Sequence, residues 1–599
     1  MRSLAALVAL ASVLSAAESY LSPTEIKLSP NGRTLYVVCE DSDALLSVDT
    51  LSCKVTNRAT VGHRPKDVAL SPDGRHLYVS NEWSDTVTEL DAQSFAVRRT
   101  LKTGWGPMGL TTDKAGATLY VANSIGDDVS LIDLAKGCEI KRLKSWRSPN
   151  AVRLSRDGSR VFVSNLLPHL APYDQSPVSE LNLIDTTKQI VAERVFLPDA
   201  MELRHVAEAP ANAGGFLLVA LMRPKNLNPL IQVQQGWFLT HGLGLIQPGR
   251  TSSTAKQVLI DDIDQYYAGA DGIAFAPDGR YALITSSEAN VVTIIDTAKL
   301  RRRVNAFDPA DLPNRLDSAR SFVVRRIQTG INPTAVATSP DGANAYIANH
   351  LDDSITVIDM TRLSVRVTID LGGPKEITTL RAGERLFHDA SFAVQGQLAC
   401  FTCHPANHLD GVAWNLETPQ LGRDRVANRT LRGIAETAPY KWNGHNPDLE
   451  TQCGPRSARF IFHSEGFNSE QLKQLTAFIR SIPLPPNRHL SPDGELTASQ
   501  ERGKGLFFGR NCASCHDPKT HYTARTSADV GTAAQYDTSG MFDIPQLERV
   551  YEKPPYLHNG EALSLEQIWT VYSPGGKHGQ TADLTKEQLN DLVEFLKTL

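Results

Sequence analysis

Methionine and cysteine are scarce in this chain, at six and eight copies in 599 residues, and charge is nearly balanced, at −5 overall. That balance excludes the basic footprint of a nucleic-acid binder. Long apolar runs are missing as well. The one sustained stretch, Leu4 to Leu14, is too short to span a bilayer. Arg2 precedes it, and the small residues Ser15, Ala16 and Ala17 follow. That order predicts a secretory signal peptide over residues 1–17, cut near Ala17, and a periplasmic or secreted protein with no membrane span after cleavage. Hydrophobic content of 41% and charged content of 21% exclude a disordered chain and fit soluble globular domains.

Half of the few cysteines fall in two pentapeptides, Cys400-Phe401-Thr402-Cys403-His404 and Cys512-Ala513-Ser514-Cys515-His516. Cys-x-x-Cys-His is the attachment signature of c-type haem. Two thiols three positions apart reach the two vinyl groups of one porphyrin, and the next residue places an imidazole under the iron. Two covalent haems are therefore expected, with His404 and His516 as proximal ligands. Export agrees, because such haem is attached outside the cytoplasm. Cys39, Cys53, Cys138 and Cys453 remain. An oxidising compartment permits a bridge between Cys39 and Cys53, the only near pair, although simple buried cysteines are the more favoured reading.

Residues 20–375 repeat with a period near 42. Turn-and-strand units recur as SPNGRTLYVV (29–38), SPDGRHLYVS (71–80), TDKAGATLYVAN (112–123) and SRDGSRVFVS (155–164), and weaker copies bring the number to seven. Each continues into a second strand ending in Asp, as in ALLSVD, DVSLID and SITVID. Pro-Asp-Gly supplies the turn and alternating apolar residues the strands. A period of this length means propeller blades, here a seven-bladed all-β propeller. Insertions near 165–180, 222–257 and 301–325 break the period. The middle one carries Trp237, Phe238, Leu243 and Ile246 and needs a covering surface, either its own blade or, as a docking element, the haem region or a partner. The propeller histidines 63, 169, 205, 241 and 350 have no spaced partner and read as ordinary surface or core residues.

From residue 376 the periodicity turns helical, and the region repeats once, with halves at about 376–486 and 487–599. Gly383-Glu384-Arg385-Leu386-Phe387 and Gly503-Lys504-Gly505-Leu506-Phe507 precede the two haem motifs. Pro439-Tyr440-Lys441-Trp442-Asn443-Gly444 aligns with Pro555-Tyr556-Leu557-His558-Asn559-Gly560. Each half closes on an amphipathic helix, predicted over 469–482 and 585–599, the latter with a capping box from Thr585 and Gln588. PLPPN (483–487) reads as a stiff linker.

The first region resembles the YVTN family of seven-bladed propellers. The second, an all-α tandem of cytochrome c folds, resembles the bacterial di-haem cytochrome c peroxidases and their MauG-type relatives. The resemblance implies a C-terminal haem that relays electrons and an N-terminal haem that is reactive. It places the distal ligand of the C-terminal haem at Tyr572, ahead of the competitors His578 and Met541. It makes Trp442 the residue between the haems and Gln452 a distal-pocket residue. It puts a catalytic glutamate a few residues after Pro455, where none stands; His463 or Glu465 are the substitutes, and His408 is assigned to the haem edge. Asn428 and Pro545 match positions around a calcium ion. A small cytochrome or cupredoxin is the implied electron partner, and a protein substrate could sit on the propeller.

Three readings follow. The first is a peroxidase- or MauG-type oxidoreductase. The second is an electron-transfer protein with both irons six-coordinate and the propeller as a docking platform; the missing glutamate favours it somewhat. The third is a quinone-type dehydrogenase in the propeller, disfavoured because no carboxylate–cation cluster is legible in the repeats.

Overall fold

A computed structural model describes residues 19–599, except 172–173, 230, 233–236, 250–251, 416–424, 492 and 536. The signal-peptide expectation lies outside the described residues. Seven four-stranded antiparallel sheets span 23–60, 65–102, 107–144, 149–198, 206–259, 270–328 and 333–370. These are the seven blades that the 42-residue period predicts. Within a blade the strands pair in chain order, so no strand is exchanged between the first and last blades. The ring closes by packing instead. Leu35, Val37 and Leu46 of blade 1 share a core with Tyr346, Ala348 and Ile355 of blade 7. Asp353 of blade 7 accepts hydrogen bonds from the backbone amides of Leu21 and Ser22, at 3.1 and 2.8 Å.

The insertions are built into the blades. Strands Leu217–Pro224 and Leu239–Gln247 pair as a long hairpin in blade 5. Leu243 and Ile246 on it are core residues of the propeller itself. Phe238 is different: it is buried and stacks on Trp414 of the helical region at 4.6 Å, so the hairpin is also a docking element. Trp237 is 53% exposed. The third insertion holds a helix, Thr297–Ala306, whose Leu300 and Val304 cover the core of blades 5 and 6. Cys39 and Cys53 are both free thiols. Cys39 pairs with Ala44 at one end of the blade-1 strands and Cys53 follows Asp49 at the other, so no bridge can form.

The helical region repeats one arrangement twice. Helices α1 (Thr379–Phe387) and α2 (Ser469–Ser481) cross in the first half, α3 (Ala498–Gly509) and α4 (Lys586–Lys597) in the second. A glycine sits at each crossing. A Cβ on Gly383 would meet the Gln474 carbonyl oxygen at 2.0 Å, and one on Gly503 the Asp591 carbonyl oxygen at 1.9 Å. The neighbouring rings match too: Phe387–Phe478 and Phe507–Phe595 both have centres 5.4 Å apart. Leu475, Phe478 and Ile479 form the buried stripe of α2, and Leu592, Phe595 and Leu596 that of α4. Thr585 and Gln588 form the expected capping box.

Both halves lie on one face of the propeller. Arg381 of α1 is buried and reaches Ser22 at 2.7 Å, while Arg385 reaches the Leu351 carbonyl and Asp352. From the second half, Arg488 pairs with Asp85 at 3.1 Å, and Arg147 of the propeller donates to the Pro554 carbonyl at 2.8 Å. The halves are also tied to each other. The Asp543 amide donates to the Trp442 carbonyl at 2.7 Å, Arg429 pairs with Asp543 at 2.7 Å, and the Ala427 amide donates to the His558 carbonyl at 2.8 Å.

Candidate functional site

One cavity of about 680 Å³ runs through both halves and is lined by Cys400, Cys403 and His404 at one end and by Cys512, Cys515 and His516 at the other. Its walls are largely apolar, from Phe387 and Leu475 in the first half to Phe507 and Leu592 in the second. The two imidazoles are held alike. His404 donates from Nδ1 to the His408 carbonyl at 2.9 Å, and His516 from Nδ1 to the Tyr522 carbonyl at 2.8 Å. That bond fixes the tautomer and leaves the Nε2 lone pair for a metal. Burial lowers both pKa values, which keeps the rings neutral as ligation requires. Thiol pair, oriented imidazole and apolar wall thus fit c-type haem in each half.

The distal sides differ. His578 lines the second end of the cavity, its ring centre 6.4 Å from that of His516. With a metal–nitrogen bond of about 2 Å and about 1 Å more to each ring centre, two imidazoles on one metal stand about 6 Å apart. His578 Nδ1 is buried without a hydrogen-bond partner, and burial, then the neighbouring His516, push its pKa down to about 4. Trp569 anchors its loop by donating to the His578 carbonyl at 3.1 Å. Tyr572, the ligand the resemblance favours, is not on the cavity wall; its hydroxyl donates to the Glu561 carbonyl at 2.8 Å. Met541 is also off the wall, 46% exposed on a short two-stranded sheet.

In the first half, no second histidine and no methionine lines the cavity among the described residues. Gln452 does, its Oε1 accepting from Asn446 at 2.5 Å, beside Cys453, Ser457 and Phe462. His463 and Glu465 are not on the wall; Glu465 is exposed. The carboxylates that line the cavity, Asp529 and Asp543, both come from the second half. Trp442 stands where the halves meet, its indole N–H donating to the Ala427 carbonyl at 2.8 Å. Asn428 and Pro545 share that wall, and the Asn428 amide donates to the Cys403 carbonyl and to Asp410. His408 is buried between the halves, bonded to Thr430 and to the Glu552 carbonyl.

The first motif is seated on the propeller. Glu288 accepts from the Thr402 hydroxyl and, at 3.3 Å, from the Ala399 amide. Arg204 lies over the Phe401 ring at 4.9 Å and pairs with Glu202 at 2.6 Å, with Asp271 at 3.5 Å and with Glu288 at 3.4 Å. This is a carboxylate–cation cluster of the kind the repeats do not reveal, because it is assembled from the connection between blades 4 and 5 and from blade 6; it corrects the reading that the propeller has none. The cluster is engaged by the haem region itself. Three carboxylates share one arginine, so burial favours their neutral forms. Burial raises Glu202 to about 8 and Asp271 to about 6, against the pull of Arg204. A raised folded-state pKa means that the native protein holds a proton the unfolded chain has released. Stability contributed by Glu202 is therefore complete below about pH 4.5 and falls as pH rises toward 8. Glu202→Gln should flatten that decline in chemical denaturation curves taken between pH 5 and 9; a slope equal to wild type would remove Glu202 from the titration.

Comparison with known proteins agrees with this geometry. Residues 500–599 match the family Cytochrome c, and residues 3–100 the family Lactonase, 7-bladed beta-propeller. The chain joins a seven-bladed propeller, similar in part to lactonase propellers, to a region similar to cytochrome c peroxidases and MauG. Hydrazine synthase subunit gamma of Kuenenia stuttgartiensis is 28% identical over 38% of the chain and 79% of its own length. Subunit beta from the same organism is 29% identical over 30% of the chain, which spans less than half, 46%, of that subunit. Methylamine utilization protein MauG of Methylorubrum extorquens is 24% identical over 36% of the chain and 76% of its own length. A solved structure of Kuenenia stuttgartiensis hydrazine synthase superposes with a TM-score of 0.54 and 27% identity, covering 58% of the chain and 98% of its own. Among the described residues, no helix is long and apolar enough to cross a membrane.

Proposed function

We propose that this protein is an exported di-haem c-type oxidoreductase in which the two haem sites do different work. The observation that carries the reading is the asymmetry of the distal sides: the His578 imidazole stands near that of His516, and among the described residues no second histidine and no methionine of the first half lines the cavity with His404. Bound haem supplies one-electron redox chemistry at iron. His516 and His578 hold the second site from both faces, which suits it to relay electrons. Cys515 is exposed, so this end meets solvent and a small donor cytochrome or cupredoxin. Trp442 bridges the halves. Gln452 and Ser457 offer hydrogen bonds to a small molecule at the first site, while Phe462 limits its size. A calcium ion at Asn428 and Pro545 belongs to the same proposal. The propeller positions the first site by gripping Thr402, and a protein substrate, if one is used, meets surface outside that grip.

A second reading, a pure electron carrier, is favoured because among the described residues no first-half carboxylate lines the cavity, and cleaving peroxide needs a group that moves protons. Cyanide titration of the ferric holoprotein separates the two. The oxidoreductase reading expects one equivalent bound per chain and one high-spin haem that responds to peroxide. Two low-spin haems that bind neither in any redox state establish the carrier. A chain whose denatured band shows no haem stain overturns both.

A further inference from the structure

Where the two halves meet, the cavity wall carries two lysines with no counter-charge. Lys441 and Lys553 both line it, and among the described residues no carboxylate comes within ion-pair distance of either ammonium group. The acids nearest Lys553 are committed elsewhere: Glu552 pairs with Arg432 at 3.1 Å and Glu548 with His521 at 2.9 Å. Lys553 Nζ donates to the Gln546 carbonyl at 3.1 Å. The charges around Lys441 are Arg456, another cation, and the thiol of Cys453. The other cations on the wall, Arg429, Arg510 and Lys577, are neutralised by Asp543, Asp583 and Asp529.

Neither lysine is required by the fold. The internal repeat provides the control. Lys553 of Glu552-Lys553-Pro554-Pro555-Tyr556 aligns with Thr437 of Glu436-Thr437-Ala438-Pro439-Tyr440, and Thr437 satisfies itself by donating to the Ile434 carbonyl. Lys441 aligns with Leu557, and both adopt the same left-handed backbone, φ +70° and +69°. A hydroxyl and an isobutyl group thus serve at these places in the other half, on the wall of the same cavity. An enclosed cation without an anion is costly. Burial accordingly lowers Lys441 to about 8 and Lys553 to about 7. The missing anions must come from what fills the cavity, and each c-type porphyrin carries two propionate carboxylates.

We propose that Lys441 and Lys553 bind haem propionates at the junction of the two halves. The proposal rests on the two-haem reading above. Its test uses the full-length holoprotein, after haem stain and intact mass have established two haems per chain. Spectroelectrochemical titration then follows each haem in Lys441→Gln and Lys553→Gln. Removing a nearby positive charge favours ferric iron, so in each variant at least one haem should show a ferrous-to-ferric ratio lower by roughly tenfold at a fixed potential. Lys441→Arg and Lys553→Arg, which keep the charge, should stay close to wild type. Where a glutamine variant does not accumulate haem, the propionate bending band in the resonance Raman spectrum of the arginine variant and wild type serves instead. A change of donor must move that band. Two haems present, with midpoints and propionate band unmoved in every variant, overturn the proposal and leave the two-haem reading standing. A wild-type chain without two haems overturns both.

Discussion

His578→Ala should turn one low-spin haem signal into a high-spin one and raise the cyanide stoichiometry of the ferric protein from one equivalent to two. His578 faces His516 at a ring separation of 6.4 Å, with Nδ1 buried and unpartnered. Removing the ring leaves open space facing His516 at that end of the cavity. The loop itself should hold, because Trp569 binds the backbone of residue 578 and not its side chain. Tyr572→Phe is the paired control. It removes one hydrogen bond to a carbonyl, worth about 0.5–1.5 kcal/mol, and should leave both haem spectra as they are. Electron paramagnetic resonance reads both variants. An unchanged low-spin signal in His578→Ala, with haem content intact, would take the ligand role away from His578.

Gly503→Ala should be among the most damaging single-methyl changes in the chain, and Gly383→Ala its counterpart in the first half. Each glycine lets two helices cross so closely that a methyl would stand 1.9 or 2.0 Å from a backbone carbonyl oxygen of the partner helix. Neither helix can yield without dragging its phenylalanine, Phe595 or Phe478, off the facing ring. The cost should exceed the about 1–3 kcal/mol typical of overpacking, since the obstacle is main chain and not a side chain that can rotate. Gly505 lies two residues on in the same helix with open space around its Cβ position. Gly505→Ala should therefore be neutral or stabilise by about 0.5–1 kcal/mol through helix propensity. Thermal unfolding of the haem-loaded protein, followed by circular dichroism, compares them. Gly503→Ala melting at the wild-type temperature would show that the crossing tolerates a wider spacing.

Much of this architecture is local and hence legible. Each blade pairs its strands in chain order, so a 42-residue period and Pro-Asp-Gly turns suffice to announce it. Haem attachment is written in five consecutive residues, and the helix stripe of Leu592, Phe595 and Leu596 in a 3.6-residue rhythm. What escapes the sequence is assembled from distant parts. Arg204 meets Glu288 across 84 residues, and only the packing of the blade 4–5 connection against blade 6 brings them under Thr402. Lys553 becomes conspicuous only when the cavity shows that no acid answers it. Tyr572 illustrates a subtler limit. The stretch Ile568–Tyr572 is wound as a π-type turn, with Ser573 bonded back to Ile568, and so rotates the following residues relative to an α-helix. The resemblance places Tyr572 at the distal position; in the structure its hydroxyl turns to the Glu561 carbonyl, and it is His578 that lines the cavity.

Thr402 is wholly buried against Glu288, whereas Cys515 of the other motif is exposed. Any enzyme that forms thioethers must grasp the pentapeptide from outside. Once Thr402 is seated on the blade loops, that grasp is denied at the first motif and still allowed at the second. Under the two-haem reading proposed above, maturation would therefore have a direction: the N-terminal thioethers would have to form while the cytochrome segment is still free of the propeller, and seating would then lock them in.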